Sequence, residues 1–272
     1  MSGIISERGT PVIAIIKRNK EMIWDLAFND FSTKYAGSAF GIFWAFVQPV
    51  ITILMYWCVF QFGLKSTPPV ENVSYIFWFA TGMVPWFFFS DGLNAVTNCL
   101  IEYGYLVKKV VFDIELLPVI KILSALFIHL VFIGLLFLIA LINREPMSVY
   151  VIQVLYYLVC AILLLYALGV MTSAIILFFR DLGQIVNIVL QIGLWATPII
   201  WPYTIIPPKY QWVVKLNPVF YITEGYRDSF ISHQWFFEQP LLTAYFWVFT
   251  LGMLWIGSTV FKKMRPHFAD VL

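Results

Sequence analysis

The sequence has few charged residues for its length. Of 272 residues only 12% are charged, whereas 61% are hydrophobic. A soluble domain of this size carries roughly 25% charged residues, because water must solvate its surface. About half that fraction excludes an ordinary soluble protein and indicates that most of the surface lies against lipid.

Motifs for disulfide, metal and nucleotide chemistry are also missing. The three cysteines lie in or beside apolar segments, which predicts buried free thiols. The three histidines are far apart in sequence, so no metal site is expected. Neither a Gly-x-x-x-x-Gly-Lys-Ser/Thr loop for ATP nor a basic block for nucleic acid occurs. We therefore predict no cofactor, no nucleic-acid partner and no enzymatic activity in this chain.

Six long apolar segments recur along the chain. They cover residues 40–64, 75–99, 116–142, 149–179, 182–201 and 241–261. Each is about as long as the roughly 20 residues that cross a hydrocarbon core. Only a helix satisfies its backbone in lipid within one segment. The sequence therefore predicts one all-α transmembrane domain over residues 1–272, with six transmembrane helices.

Positive charges fall unequally on the two sides of this predicted bundle. Twelve of the 17 lysines and arginines lie on the side of the termini, and five lie on the other side. Lys and Arg are enriched in cytoplasmic loops. Both termini are therefore predicted to lie in the cytoplasm.

Two further segments are predicted to be helical but too polar to cross a bilayer. Residues 12–35 mix apolar and charged side chains like an amphipathic helix in the cytoplasmic headgroup region, with Trp24 at the interface. An ordinary surface helix would give a similar pattern. Residues 204–238 are rich in aromatic side chains and predict two short helices that re-enter the outer leaflet. An interfacial cap that only anchors the protein is the alternative.

Polar and aromatic side chains form stripes at helical spacing on three spans. The stripes comprise Trp44, Gln48, Thr52, Tyr56 and Phe60 on the first span, Asp91, Asn94 and Asn98 on the second, and Gln184, Asn187, Gln191 and Trp195 on the fifth. Such stripes are costly in lipid, so they face protein or a cavity. Helix–helix hydrogen bonds would explain each stripe alone. Together they favour a channel for a bulky polar substrate such as a glycan.

Ionisable side chains within the spans are scarce. Asp91 lies in the second span, and Lys121 lies near the end of the third, where its side chain can extend toward the interface. An ion-driven transporter usually needs more such groups, and no internal symmetry is evident. A glycan-transferring enzyme would need Asp91 or Glu224 as acid or base, and neither has a partner nearby in sequence.

Seven stretches of the sequence, in this order, resemble a known family. They are WDLAFNDFSTKYAGSAFGIFWAFVQPV at 24–50, VPWFFFSDGLNAVTN at 84–98, LVKKVVFDIELLPV at 106–119, FFRDLGQI at 178–185, ATPIIWP at 196–202, KLNPVFYITEGYRDSF at 215–230 and FKKMRPHFADVL at 261–272. The chain is similar to the membrane subunits of type-2 ABC exporters, which move lipid-linked polysaccharides such as O-antigen, capsule or teichoic acid.

The resemblance implies a homodimer in the bacterial cytoplasmic membrane, paired with two ATPase subunits that bind ATP and magnesium. It implies that the first, second and fifth spans line the channel and that the re-entrant helices form its outer rim. It also places Lys34, Lys108 and Lys109 where an anionic head group enters, and Asp25, Asp30, Asp113 and Glu115 at the ATPase contact. Arg265 replaces an acidic residue that relatives often carry in the tail, which leaves the contacts of the tail open.

The expected function is export of a lipid-linked polysaccharide, driven by ATP hydrolysis in a separate subunit. Two alternatives remain at this point. One is a type-2 ABC exporter of a drug or lipid. The other, less favoured, is an intramembrane glycan-transferring enzyme.

Overall fold

The computed structural model describes residues 12–34, 39–65, 69–71, 73–107 and 113–271. Within these ranges the chain is helical and contains no strand, which confirms the predicted all-α class. The α-helices are α1 (Val12–Arg18), α2 (Lys20–Thr33), α3 (Trp44–Trp57), α4 (Tyr75–Glu102), α5 (Gly104–Val107), α6 (Leu116–Asn143), α7 (Val154–Phe178), α8 (Leu182–Ala196), α9 (Gln211–Lys215), α10 (Pro218–Arg227), α11 (Pro240–Met264) and α12 (Phe268–Val271).

Four helical segments of the described chain are long and apolar enough to cross a membrane. They are Gly41–Gly63, Leu116–Asn143, Val149–Phe178 and Pro240–His267, which contain α3, α6, α7 and α11. The other two predicted spans fall short for different reasons. α4 has 28 residues, but its polar residues lower its hydropathy. α8 has 15 residues, about 22 Å at 1.5 Å per residue, which is shorter than a hydrocarbon core of about 30 Å.

α4 is the centre of the bundle. It packs against α3, α6, α7, α8 and α10, and most of its side chains are buried. Gly169 of α7 permits one of these contacts, because a Cβ there would lie 2.3 Å from Val96. At its start, the backbone N–H of Ser74 donates to Glu145 at 2.8 Å, which ties α4 to the end of α6. The antiparallel pair α4–α6 is therefore fixed at this end.

The two ends of the bundle are built differently. At the end that we call the terminal end, α1 and α2 pack beside the last turn of α4 and the first turn of α6. The predicted single helix 12–35 is broken there at Asn19, and its amide donates to the carbonyl of Ile15 at 3.1 Å. α2 packs on α6 through Ile23, Ala27 and Phe31, which are buried at a spacing of four residues.

The C-terminal tail also docks at the terminal end. Arg265 Nη1 donates to Glu115 Oε1 at 2.8 Å, immediately before α6 begins. Phe268 of α12 is buried and lies against Phe178 and Phe261. The basic residue that the resemblance left unexplained therefore has an acidic partner within the chain.

The segment between α8 and α11 packs at the opposite end. Only Val214 of α9 is buried, whereas most of α10 is buried among α4, α7 and α11. Asn217 caps α10 by accepting from the N–H of Val219 at 3.0 Å, and its amide donates to Thr197 at 2.7 Å. α10 is therefore held on the turn that follows α8.

The cysteines only partly follow the prediction of buried thiols. All three are free, and Cys99 and Cys160 are buried, but Cys58 is exposed. Cys58 begins the π-helical turn that continues α3, and this part of the chain packs on α4 along one side only.

Candidate functional site

A cavity of about 580 Å³ lies between α2, α3, α4 and α6. Its lining follows α4 from Glu102, at the terminal end, to Val84 in the middle of the helix. This stretch is about 27 Å of helix at 1.5 Å per residue. Charged and polar side chains line the terminal end of the cavity, and phenylalanines such as Phe87 and Phe132 line the inner end. The cavity is therefore amphipathic along its length.

An ionic cluster closes one side of the polar end. Lys121 Nζ donates to Asp30 Oδ1 at 2.6 Å and also pairs with Glu102. Tyr103 donates its hydroxyl to the same Asp30 oxygen at 2.8 Å. Burial raises the pKa of Tyr103, and the hydrogen bond to the Asp30 carboxylate raises it further. The cluster joins α2 to α6 and to the turn after α4.

Lys121 does not extend to the interface as expected. Its side chain is only 8% exposed and is held by two carboxylates within the chain. Sequence reasoning found Lys121 but not these partners, because the pairing depends on how α2 packs against α6. His129 lines the same cavity, accepts or donates a 2.8 Å hydrogen bond with Tyr226 and stacks on Phe88.

The predicted polar stripe of α4 lines this cavity. Asp91, Asn94 and Asn98 face into it, together with Lys34 from the end of α2. The amide of Asn98 donates to the carbonyl of Asn94 at 2.9 Å. The structure therefore brings together three predicted channel residues and one residue predicted at the head-group site.

The stripes of α3 and α8 do not line this cavity. The residues concerned are Trp44, Gln48, Thr52, Tyr56, Phe60, Gln184, Asn187, Gln191 and Trp195. On α8 the stripe is exposed, and Trp195 is 57% accessible. On α3, Trp44 and Gln48 are exposed, whereas Tyr56 packs 5.9 Å from the ring of Phe79. The stripe of α8 and the start of the stripe of α3 therefore face away from the core of this chain, whereas Tyr56 packs against the core.

The residues predicted to contact an ATPase have two kinds of surroundings. Asp25 is exposed on α2, and Asp113 forms an exposed pair with Arg18 at 3.1 Å. Asp30 and Glu115, in contrast, are engaged inside the chain by the ionic cluster and by the tail. The predicted head-group residues Lys108 and Lys109 lie outside the described residues.

The site contains no evident centre for metal chemistry. In the described ranges, no group of three or more His, Cys, Asp or Glu side chains is placed to hold a metal ion. The geometry instead offers an amphipathic cavity with both signs of charge at its polar end.

Comparison with known proteins finds similarities that cover most of the chain. The sequence profile of the family described as ABC-2 type transporter matches residues 23–231. An O-antigen export system permease protein of Klebsiella pneumoniae is 24% identical over 264 residues, covering 94% of this chain and 98% of that protein. The protein of the same description from Myxococcus xanthus is 23% identical over 251 residues, covering 92% and 94%. A polysialic acid transport protein of Escherichia coli is 20% identical over 238 residues, covering 87% and 91%.

Proposed function

The chain belongs to the ABC-2 type transporter family, and from that membership we propose that it exports a lipid-linked polysaccharide across the bacterial cytoplasmic membrane. The observation that carries this proposal is the similarity, over nearly the whole length of both proteins, to permeases named for O-antigen export. The relative named for polysialic acid transport points to the same class of substrate. Capsular glycan, O-antigen and teichoic acid are the candidate cargoes.

The energy for export is proposed to come from ATP hydrolysis in two separate ATPase subunits, which bind the ATP and magnesium. This chain has no P-loop sequence of its own. Two of the acidic residues predicted at the ATPase contact, Asp25 and Asp113, lie at the surface of the terminal end. Asp25 is exposed to a partner there, and Asp113 would contact a partner together with Arg18, with which it pairs.

The proposed topology has six crossings with both termini in the cytoplasm. Four helical segments meet the requirements of length and hydropathy, and α4 and α8 supply the other two crossings. α4 is buried among other helices, so its polar residues need not face lipid. α8 is short, and the turn after it would complete its crossing. The excess of basic residues on the side of the termini supports the orientation.

α2 is proposed to lie in the cytoplasmic headgroup region. α2 packs on α6, and Trp24 and Phe28 lie at the edge of this contact, beside Phe127 of α6, where they remain 57% and 55% exposed. Tryptophan is favoured at the membrane interface, where its ring lies between water and lipid. At the other end, the aromatic segment with α9 and α10 is proposed to be the re-entrant pair at the outer rim.

The protein is proposed to act as a homodimer with a channel between the two copies. The polar stripe of α8 and the start of the stripe of α3 are exposed on this chain. Polar residues at membrane depth are costly in lipid. A second copy facing these helices would remove both stripes from lipid and create a polar path for the glycan.

The amphipathic cavity is proposed to receive the lipid-linked end of the substrate. Its polar end carries Lys34 and its inner end is lined by phenylalanines, which suits a molecule with a charged head and an apolar tail. Movement of α2 by the ATPases would be transmitted to α6 through the bond between Asp30 and Lys121.

The test is genetic replacement in the bacterium that encodes this chain. Deleting its gene should abolish surface polysaccharide and cause the glycan to accumulate inside the cell. Re-expression should restore export only when the partner ATPase retains its nucleotide-binding lysine. Normal surface glycan in the deletion strain, with no accumulation inside, would refute the proposed function.

A further inference from the structure

A second pocket lies at the opposite end of the bundle from the cavity. Its volume is about 180 Å³, and α4, α10 and the segments beside them form its walls. Its polar lining includes Thr204, Lys215, Glu224, Arg227, Asp228, Ser232, Gln234 and Gln239. No part of this pocket belongs to the cavity described above.

Arg227 is the most constrained of these residues. It is only 3% exposed, and Nη1 and Nη2 donate to the carbonyls of Pro198 and Ile199 at 2.6 and 2.7 Å. The guanidinium also pairs with Glu224 and lies 4.0 Å from the centre of the Trp78 ring. These contacts join α10 to α4 and to the turn after α8, so this side of the pocket is preformed.

One donor of Arg227 remains unused. Its Nε–H is buried and has no acceptor among the residues that the structure describes. The close approach to α4 depends on Gly82, because a Cβ there would lie 2.7 Å from Nη2. Buried N–H donors are normally paired. Because Nε also has almost no exposed surface, a ligand oxygen in the pocket cannot reach it, and recognition of a ligand falls to the other polar side chains of the lining.

The chemistry of the walls indicates an uncharged ligand with several hydroxyl groups. The pocket carries both signs of charge, with Lys215 and Arg227 beside Glu224 and Asp228, and the charge of Arg227 is already compensated by its pair with Glu224. Side-chain amides, which line the pocket as well, both donate and accept hydrogen bonds. Hydroxyl groups can pair with all of these donors and acceptors.

The size of the pocket and its aromatic walls restrict the possible ligands to a molecule of about one sugar ring. The volume of about 180 Å³ is several times the roughly 30 Å³ that one water molecule occupies, so the pocket can hold a small ring. Tyr203 and Phe220 form an apolar wall, with ring centres 5.5 Å apart. A pyranose ring has polar edges and an apolar face, and both match this pocket.

We propose that this pocket binds one sugar residue of the exported glycan where the glycan leaves the bundle. The proposal rests on the proposed function, because the pocket lies beside α9 and α10, which that function places at the outer rim. Lys215 and the side-chain amides of Gln234 and Gln239 would bind the hydroxyl groups of that sugar.

The test measures binding of free sugars to the purified full-length chain in lipid nanodiscs without an ATPase. The probes are methyl β-glucoside, methyl N-acetyl-β-glucosaminide and methyl α-rhamnoside, with inorganic phosphate for comparison, detected by ligand-observed NMR. Lys215→Ala and Gln234→Ala remove groups that line the pocket. Lys209→Ala is the matched control, because Lys209 also lies over a tyrosine ring, at 5.5 Å compared with 5.7 Å for Lys215, but outside the pocket.

We expect saturable binding of at least one sugar, weakened about tenfold or more by either pocket variant, a loss of about 1.4 kcal/mol, and unchanged by the control. Thermal unfolding of each variant verifies that it is folded. Binding of phosphate alone, binding of no sugar, or binding that survives both pocket variants would overturn the proposal. Export in the replacement strain is measured separately, so normal export without sugar binding rejects the pocket and leaves the transport function standing.

Discussion

Lys121 Nζ lies 2.6 Å from Asp30 Oδ1, across 91 residues of sequence. This bond joins α2, at the surface of the terminal end, to α6, which runs the length of the bundle. Both side chains are largely buried, and Glu102 and Tyr103 complete the cluster. Removing one partner of a buried pair leaves the other charge uncompensated. Substitution of Lys121 should therefore lower the stability of the protein.

Lys121→Ala should lower the free energy of unfolding by about 3 kcal/mol, the loss typical of a broken buried ion pair. The reason is that the carboxylate of Asp30 would stay buried without its cation. Arg18→Ala is the control, because it breaks the exposed pair with Asp113 and should cost about 1 kcal/mol or less. Denaturation in detergent micelles measures both. Equal losses in the two variants would contradict a buried structural pair.

A glycine on α10 should be required for the packing of that helix. A Cβ on Gly225 would lie 2.1 Å from the ring of Tyr157, which is buried and has no room to move. Gly225→Ala should therefore cost about 1–3 kcal/mol, as expected of an overpacked core. Gly134→Ala on α6 is the matched control, since nothing lies within 4 Å of a Cβ there. Thermal unfolding in detergent compares the two, and a neutral Gly225→Ala would refute the tight contact.

The long-range contacts explain why the sequence predicts some parts of this structure better than others. Apolar length alone predicts helices close to α6 and α11, because their hydrophobic segments are long and uninterrupted. The polar stripe of α4 predicts a cavity-facing side, since Asp91, Asn94 and Asn98 share one face of a helix. Local patterns of this kind need no knowledge of the neighbouring helices.

Contacts between side chains that are far apart in sequence cannot be predicted from local patterns. Nothing near Arg227 in the sequence reveals that it reaches the carbonyls of Pro198 and Ile199, because those contacts depend on how α10 returns to α8. In the sequence, Arg227 is therefore only one of the five basic residues on the side opposite the termini. The pairing of Arg265 with Glu115 is hidden for the same reason, since 150 residues separate them.

The tail contact can be tested by charge reversal. Arg265→Glu should expose the tail to proteolysis, because it places two carboxylates against each other beside α6. Adding Glu115→Arg should restore protection by forming the pair in the opposite sense. Limited proteolysis of the purified protein, followed by mass spectrometry of the C-terminal fragments, measures both variants. A double variant as sensitive as Arg265→Glu would show that the pair does not hold the tail.

Asp228 should make the stability of the protein depend on pH. The pKa of Asp228 is raised from 3.8 to about 7, chiefly by burial and next by the charge of Glu224, while Arg227 opposes the rise. The folded state therefore holds this proton more tightly than the unfolded state. Its stabilising contribution is full below about pH 4 and is lost as the pH rises through about 7.

The unfolding temperature in detergent should accordingly fall between pH 5 and pH 8, and Asp228→Asn should make that fall smaller. Asp25→Asn removes an exposed carboxylate from α2 and controls for the change in net charge. If Asp228→Asn leaves the dependence of unfolding temperature on pH unchanged, Asp228 is not the group responsible.

The exposed stripe of α8 should affect export without affecting folding. Gln191 and Trp195 are both exposed, and they lie four residues apart on one face of α8. If they line a channel between two copies, the double variant Gln191→Ala/Trp195→Ala loses contacts with the glycan only. Export should then fall about tenfold, the effect of roughly 1.4 kcal/mol.

Surface glycan on replacement-strain cells measures export, and the unfolding temperature of the purified variant measures folding. Val248→Ala on α11 is the control, because Val248 is exposed at a site outside the predicted stripes and should not change export. Full export by the double variant would contradict a channel along α8. Reduced export together with a lowered unfolding temperature would show instead that α8 has a structural role. Loss of packing lowers the stability of the protein, whereas loss of contacts with the glycan does not.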